Sequence, residues 1–526
     1  MPRAVAQGWD AAQGWVKGET VARQLTTRAQ VNGYRFLLRR LDHALIRRDV
    51  RMLHDPMRSQ GRALAVGAVL GVLVLAGFAV WGLVSPQGSV GKSTIIAAKT
   101  GGTYVLIDGT LHPVLNLASA RLITGSNEKP ASASERKLAH YPRGPLLGIP
   151  GAPSALPTSS VTTWSVCDGP GSRSDVTESA LGASSRGTGL LSVIAGEPHT
   201  GQHTRTARSD EALFVTAGDD AFLVYQLDRD GRATPVRAQV DTDSVPVLRA
   251  LGLENETPRP ISVGLLNTFP EVDALTLPSI TGKGGTGAVG RAGARVGSVV
   301  KTTGADGAVG YYIVLRDGVQ PISAATAEIL RLAELDDAAP VATVAPGVIA
   351  STPMLDELPI ADFPVAVPHL VTASDTTVCR AWTREAADDP ARTTLLVGDA
   401  LPLPDGATPV RVASADGPGP GVDQVYVRPG SGAYIQVTGN EFGSARAESM
   451  FYVADTGVRY GVSDAETGSI LGLGTTPTRA PWDVTSLLVA GPTLSRENAL
   501  VAHDGMGADP EGTAVSPPED SPKTGG

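Results

Sequence analysis

Aromatic residues make up only 5% of this 526-residue chain, cysteine occurs twice and histidine eight times. Two cysteines leave no surplus thiol for a nucleophile once they pair. The histidines are scattered, and no two have the spacing of zinc ligands. No Gly-x-Ser-x-Gly elbow is present. No metal or other cofactor is therefore expected, although the many carboxylates leave a two-acid glycosidase open. Glycine and proline, by contrast, are abundant, at 61 and 39 copies. That mix predicts many turns and short strands rather than long helices. The length exceeds that of one ordinary compact domain.

Charge is unevenly spread. Residues 1–62 carry 12 Lys or Arg against 5 Asp or Glu, while residues 85–526 carry 32 against 48. A basic end fits nucleic acid or a membrane surface, and its neighbour decides for the membrane. Residues 63–84 hold no charged side chain. As a helix rising about 1.5 Å per residue, this stretch matches a hydrocarbon core of roughly 30 Å. It starts too late for a cleaved signal peptide and should remain as an anchor. Ten arginines lie between Arg23 and Arg62, whereas Lys92 and Lys99 are the nearby cations on the other flank. The positive-inside rule then puts residues 1–62 in the cytoplasm and residues 85–500 outside, with no role for nucleic acid. The tail, residues 501–526, is acidic and rich in Gly and Pro, and is expected to be disordered.

The basic segment carries its own helix signal. Thr26 or Thr27 can cap a helix over residues 28–53, with Pro56 just past its end. Val31, Tyr34, Leu38, Leu41 and Leu45 form one apolar stripe at alternating spacings of three and four. Arg39, Arg40, Arg47 and Arg48 fall largely off it. Such a helix can lie on anionic lipid or dock a cytoplasmic partner, and spacing does not choose between them.

The two cysteines, Cys167 and Cys379, fall on the oxidising side of the membrane, where one bridge is expected unless they are unrelated buried thiols. The loop between them spans 212 residues. Four strand-like runs punctuate the same region. Three end in Asp-Gly at Asp108-Gly109, Asp230-Gly231 and Asp317-Gly318, and the fourth carries Asp455 and Gly457. Each reads as a hairpin, because Gly accepts positive φ. The first and third runs lead into Pro-led stretches, at 112–123 and 320–330, that can be helical with Pro113 or Pro321 near the start. The second and fourth lead instead to "LRALGL" and "SILGLG". This predicts two kinds of unit, arranged as two copies of one pair. Cys167 follows Asp108 by 59 residues and Cys379 follows Asp317 by 62, each with a Trp three positions away, Trp164 and Trp382. The expected fold is membrane-anchored α+β: one N-terminal transmembrane helix, then an elongated, pseudo-two-fold external domain of four β-rich repeats around a central domain.

One phosphate-loop-like motif appears, "GSVGKST" over residues 88–94. Gly91, Lys92 and Ser93 fit the end of the pattern, but its first glycine is replaced by Pro86. The loop should also open a helix after a buried strand, and here it follows the membrane span.

The residues from Arg28 to Arg58, "RAQVNGYRFLLRRLDHALIRRDVRMLHDPMR", resemble the N-terminal signature of the EccB family, membrane-core components of the actinobacterial type VII (ESX) secretion system. The likeness continues through the anchor, "LHPVLNLASARL" at 111–122, the two cysteines and "GPTLS" at 491–495. It implies a structural role in the secretion membrane complex. It also implies a periplasmic domain of four repeats about a disulfide-held central domain. The partners it implies are the FtsK/SpoIIIE-like ATPase EccC, the membrane proteins EccD and EccE, and the mycosin protease, in an oligomeric assembly. The family's repeats are similar to phage-lysin wall-binding modules, which adds peptidoglycan as a possible contact. Members are sometimes described as ATPases, so a membrane-anchored extracytoplasmic hydrolase or nucleotide-binding enzyme is the alternative.

Overall fold

A computed structural model describes residues 27–48, 56–84, 93–170, 189–229, 231–289, 293–334, 341–387, 389–417 and 419–505. They fall into two units, Met1–Gln87 and Gly88–Gly526. Of the tail expected over residues 501–526, residues 501–505 are described, with a strand at Ala502–His503, and those from 506 lie outside the described residues.

The first unit is helical. Helix α1 (Arg28–Arg47) opens on a capping box, in which the Gln30 amide donates to Thr27 Oγ1 at 3.4 Å and the Thr27 amide donates to Gln30 Oε1 at 2.9 Å. Two of the helix's unpaired N-terminal donors are thereby satisfied. It ends at Arg48, which turns left-handed at φ 51°. Helix α2 (Pro56–Val84) follows. Pro56 therefore does not trail the first helix, as expected for a helix over 28–53, but opens the second, where a fixed φ and a missing N–H cost nothing. Gly61–Trp81 is long and apolar enough to cross a membrane, and none of it is buried among the described residues.

The second unit repeats one module four times. In the first module β1 (Ile95–Ala98), β2 (Thr103–Ile107) and β3 (Thr110–Val114) form an antiparallel meander, and α3 (Leu117–Thr124) crosses over. Strand β4 (Ala131–Ala133) then returns parallel to β1, followed by α4 (Glu135–Leu138) and β5 (Leu146–Leu147), which lies parallel to β3. Strands β6 (Thr163–Gly169), β7 (Leu190–Ala195) and β8 (Thr204–Thr206) enter a central sheet. The second module has β9 (Glu211–Ala217), β10 (Asp220–Arg229), β11 (Arg232–Gln239), α5 (Val245–Ala250), β12 (Arg259–Pro260) and α6 (Val263–Leu266). The third has β13 (Val299–Thr303), β14 (Val309–Val314), β15 (Val319–Ile322), α7 (Ala324–Leu332), β16 (Ala342–Thr343) and α8 (Pro346–Ala350). Strand β17 (His369–Leu370) then pairs back onto β9, and β18 (Thr377–Thr383), β19 (Arg392–Gly398), β20 (Val410–Arg411) and β21 (Gln424–Val427) complete the central sheet. The fourth module has β22 (Gly432–Thr438), β23 (Met450–Ala454), β24 (Val458–Val462), α9 (Ala465–Leu471), β25 (Thr478–Pro481), α10 (Trp482–Thr485) and β26 (Val489–Ala490). Helix α11 (Arg496–Ala499) and β27 (Ala502–His503) are the last elements among the described residues, with β27 against β5 of the first module.

The sequence predicts two kinds of unit; the structure has one. In every module the fourth strand lies parallel to the first, as β4, β12, β16 and β25 do. The prolines misdirect the reading: Pro113 lies in β3 and Pro321 in β15, and neither opens a helix. The helices start later, where the Asn116, Ser323 and Asp464 side chains accept from the backbone N–H three residues on. That is an N-cap, and it satisfies a donor the helix cannot.

Packing ties distant modules together. The first and fourth share a core in which Ile95, Val105 and Leu122 meet Tyr434, Tyr452 and Leu471. Across that contact Arg121 Nη1 donates to the Leu471 carbonyl at 2.5 Å, supplying a partner and a cation to the C-terminus of α9. The second and third share another core, with Leu223, Val236 and Val247 against Ile313, Ile329 and Leu330. The second and fourth both rest on one face of the central sheet, around Trp164 and Trp382.

Candidate functional site

The structure brings Cys167 and Cys379 together. Strands β6 and β18 are antiparallel neighbours, with Cys167 opposite Cys379 and Trp164 opposite Trp382. The two cysteines are bonded, with their Cα atoms 4.0 Å apart. A difference of three along a strand puts side chains on opposite faces. The tryptophans accordingly pack toward the second and fourth modules, and the disulfide sits on the other face with Ile194, Leu396, Leu401 and Tyr426. The register places a local two-fold axis between the cysteines, relating β6 to β18 and β7 to β19. The outer strands break it: β21 runs parallel to β7, while β8 runs antiparallel to β19. Each half thus lends a strand to the other.

Sequence reasoning missed the charges around this sheet. Arg380, on β18, is 1% exposed, yet its Nη1 lies 3.0 Å from Asp483 on α10 and its Nη2 donates to Asn440 Oδ1 at 2.7 Å. Asn440 in turn donates to the Thr268 carbonyl at 3.2 Å, so one chain of bonds joins the central sheet to the fourth and second modules. Burial lowers the Arg380 guanidinium, but an arginine starts so high that it stays charged. Burial also pushes the Asp483 carboxyl up, against the opposing pull of Arg380. One signal was available in the sequence: a charged residue within the apolar run "TVCRAWT".

Asp168 is the second such group. Its Oδ2 accepts from the Ser262 amide at 2.7 Å, and its Oδ1 is buried without a partner. Burial pushes its carboxyl up to about 6, opposed by that amide and by Arg259. Asp423, fully buried nearby, accepts from the Leu191 and Gly417 amides at 2.9 and 2.7 Å. These carboxylates stitch loops to the sheet. Among the described residues no three His, Cys, Asp or Glu are placed to hold a metal ion.

Of the phosphate-loop-like residues, Gly91 and Lys92 lie outside the described residues. Ser93 uses its hydroxyl to donate to the Ile95 carbonyl at 3.1 Å, and the chain passes straight into β1 instead of opening a helix. Glu128 Oε1 accepts from the Thr94 amide and hydroxyl, both at 2.8 Å. The Thr94 hydrogen bonds hold the Glu128 carboxyl below its ordinary value. A fixed carboxylate beside the loop repels phosphate.

On α1 the proposed docking face is open. Tyr34, Leu38, Leu41 and Leu45 are 64%, 45%, 57% and 74% exposed, and no residue of this helix is buried. Arg39, Arg40, Arg47 and Arg48 are exposed as well. Among the described residues none of this 20-residue helix is buried, so its apolar stripe has no packing there to offset its conformational entropy.

Comparison with known proteins supplies the context for this arrangement. Residues 23–508 match the family described as type VII secretion system ESX-1, transport TM domain B. The chain is 38% identical over 504 residues to the ESX-3 secretion system ATPase EccB3 of Mycolicibacterium smegmatis, covering 94% of each. It is 35% identical over 491 residues to the ESX-1 secretion system ATPase EccB1 of Mycobacterium tuberculosis, covering 93% of this chain and 97% of that one. Its fold matches a chain of an intact ESX-5 inner membrane complex with a TM-score of 0.69 at 33% identity, covering 95% of this chain and 100% of that one. It also matches a chain of the EccB3 dimer from the ESX-3 core complex, with a TM-score of 0.65 at 35% identity over 78% of this chain and 100% of that one. By sequence along nearly its whole length, and by the module-and-sheet architecture it shares with those complexes, this chain belongs to the EccB family of type VII secretion.

Proposed function

We propose that this chain is a scaffold subunit of a type VII secretion membrane complex, anchored by α2, with the module unit on the periplasmic side and α1 docking a cytoplasmic partner. The observation that carries the reading is its full-length likeness to a chain within an intact ESX-5 inner membrane complex. The family is a structural component of such oligomeric complexes, and the chain is a single-pass inner membrane protein. The orientation rests on the arginines that flank one side of α2. The stripe of α1 together with its EccB-like signature supports a protein partner, and EccC, EccD, EccE and the mycosin protease are the partners in view. Contact of the modules with peptidoglycan belongs to the same reading.

Affinity purification from native membrane, with mass spectrometry of the co-purified chains, tests it. Those four components should appear in one assembly, and recovery of this chain alone would overturn the scaffold role. Protease added to wall-stripped cells should degrade the module unit and spare an N-terminal tag; loss of the tag reverses the orientation. The word ATPase in the relatives' names raises the enzyme alternative. Pro86, the missing helix after Ser93 and the Glu128 carboxylate all weigh against it. Nucleotide turnover by the purified chain that Lys92→Ala abolishes would establish that alternative.

A further inference from the structure

A cavity of about 640 Å³ opens where the second module, the central sheet and the fourth module meet. Arg229 and Arg232 line it from the β10–β11 hairpin, Arg392 from the start of β19, Arg380 from β18, and Asn440 and Phe442 from the loop after β22. Its volume falls in the range of small-molecule sites, about 300–1,000 Å³. Half of its polar lining residues are arginines, and these groups differ in what holds them. Arg229 is 3.2 Å from Asp362 and so already paired. Arg232 lies over the Phe442 ring at 4.0 Å, which fixes its plane without using its N–H groups. Arg232 and Arg392 are exposed, and neither has a carboxylate within ion-pair distance among the described residues. Arg380 is 1% exposed, and its Nε is buried with no hydrogen-bond partner. An orphaned N–H on a buried cation costs desolvation that its two bonded nitrogens do not recover.

We propose that this cavity binds a small oxyanion, a carboxylate- or phosphate-bearing molecule of metabolite size. Guanidinium groups present two parallel N–H donors that match either anion, and such charge-assisted pairs are the strong ones. Arg232 and Arg392 grip the anion at the mouth, while Arg380, paired with Asp483, forms the wall behind them. Glu441, also in the lining, sets a limit, since a ligand charged along its whole length would meet it. The occupant is therefore compact, with its charge at one end. Because three parts of the fold contribute walls, an occupied site also braces their junction.

The test uses the full chain in detergent, with acetate and inorganic phosphate as separate probes and sodium chloride at matched ionic strength as the reference. At least one probe should bind saturably by calorimetry in the millimolar range or tighter and raise the melting temperature above the chloride reference, as selective binding to the folded state requires. Acetate binding alone identifies a carboxylate ligand, and phosphate binding alone a phosphate ligand. Replacing both mouth residues, Arg232→Gln with Arg392→Gln, should weaken binding by at least about tenfold, the loss of one good charge-assisted contact. If that double variant does not fold, Arg232→Lys with Arg392→Lys keeps the charge but loses the planar fork, and should weaken binding to a smaller degree. Absence of saturable binding by either probe overturns the proposal. So does binding that the folded substitutions leave unchanged.

Discussion

Asp168 shows how one carboxyl couples this fold to pH. Its folded value of about 6 lies above the ordinary 3.8, because burial penalises the charged form more than Ser262 and Arg259 favour it. Between those two values the folded state holds a proton that the unfolded state has lost. The stability it contributes is therefore full at the acid end, falls as pH rises toward 6 and is flat above. Asp168→Asn keeps an acceptor for the Ser262 amide and removes the titration. Denaturant unfolding of both forms from pH 4 to 7 should show a sloping wild type and a flatter variant. The gap at pH 7 should reach at most about 3 kcal/mol in the variant's favour, and parallel profiles would remove the basis for the raised value. Arg380 and Asp483 make the opposite case. Arg380→Leu strands a buried carboxylate and should cost about 3–5 kcal/mol. The double variant Arg380→Leu with Asp483→Leu should recover much of that loss, because removing both charges also removes the desolvation they impose. A double-mutant cycle by thermal unfolding reads this directly, and a double variant worse than the single would mean that Asp483 holds α10 in some other way. Arg380 is marked by the apolar run around it, but Asp168 does not stand out from the sequence. An Asp at the end of an apolar run looks the same whether it faces water or the Ser262 amide.

At the level of elements, the hairpins are the legible part. Asp108 and Gly109 both adopt positive φ, 47° and 76°, the backbone that an Asp-Gly pair signals. The same signal at Asp317-Gly318 has another cause: a Cβ on Gly318 would run into the Pro353 carbonyl, so this glycine is there for space. The helices are harder to read. Helix α5 has six residues, a proline in its first turn and no side-chain cap bond, so periodicity has too little chain to act on. Helix α1 is legible in both stripe and cap, and its exposure leads to a test. Replacing Leu38, Leu41 and Leu45 with Ala removes apolar area that is exposed among the described residues. Helix content and membrane insertion of the purified protein should be unchanged, while co-purified partner chains are lost. Retention of the complex would make α1 a lipid-surface element.

Across the whole molecule, the pairing of modules is what spacing along the chain could not disclose. Residues 190–195 find their strand partner at 424–427, and 502–503 return to 146–147. Hairpin signals are local, and nothing in a short window records which distant edge a strand will meet. The bond between Cys167 and Cys379 closes a 212-residue loop, worth at most about 5 kcal/mol by chain entropy. Cys167→Ser and Cys379→Ser should each lower the melting temperature, and the double variant should add little. Two free thiols titrated in denatured, unreduced protein would refute the bond. The placement of that bond also bears on the order of assembly. Strand β6 pairs with β18 and β7 with β21, so a chain emerging N-terminus first carries two bare strand edges until more than half of the sequence after them has appeared. Such edges invite pairing with neighbouring chains. A single early thiol has no partner within its own half, so oxidation of this pair waits until the second half of the central sheet has begun to appear. Pulse-labelled nascent chains should show the bond only after residue 379 is available, and any earlier disulfide would have to join two molecules.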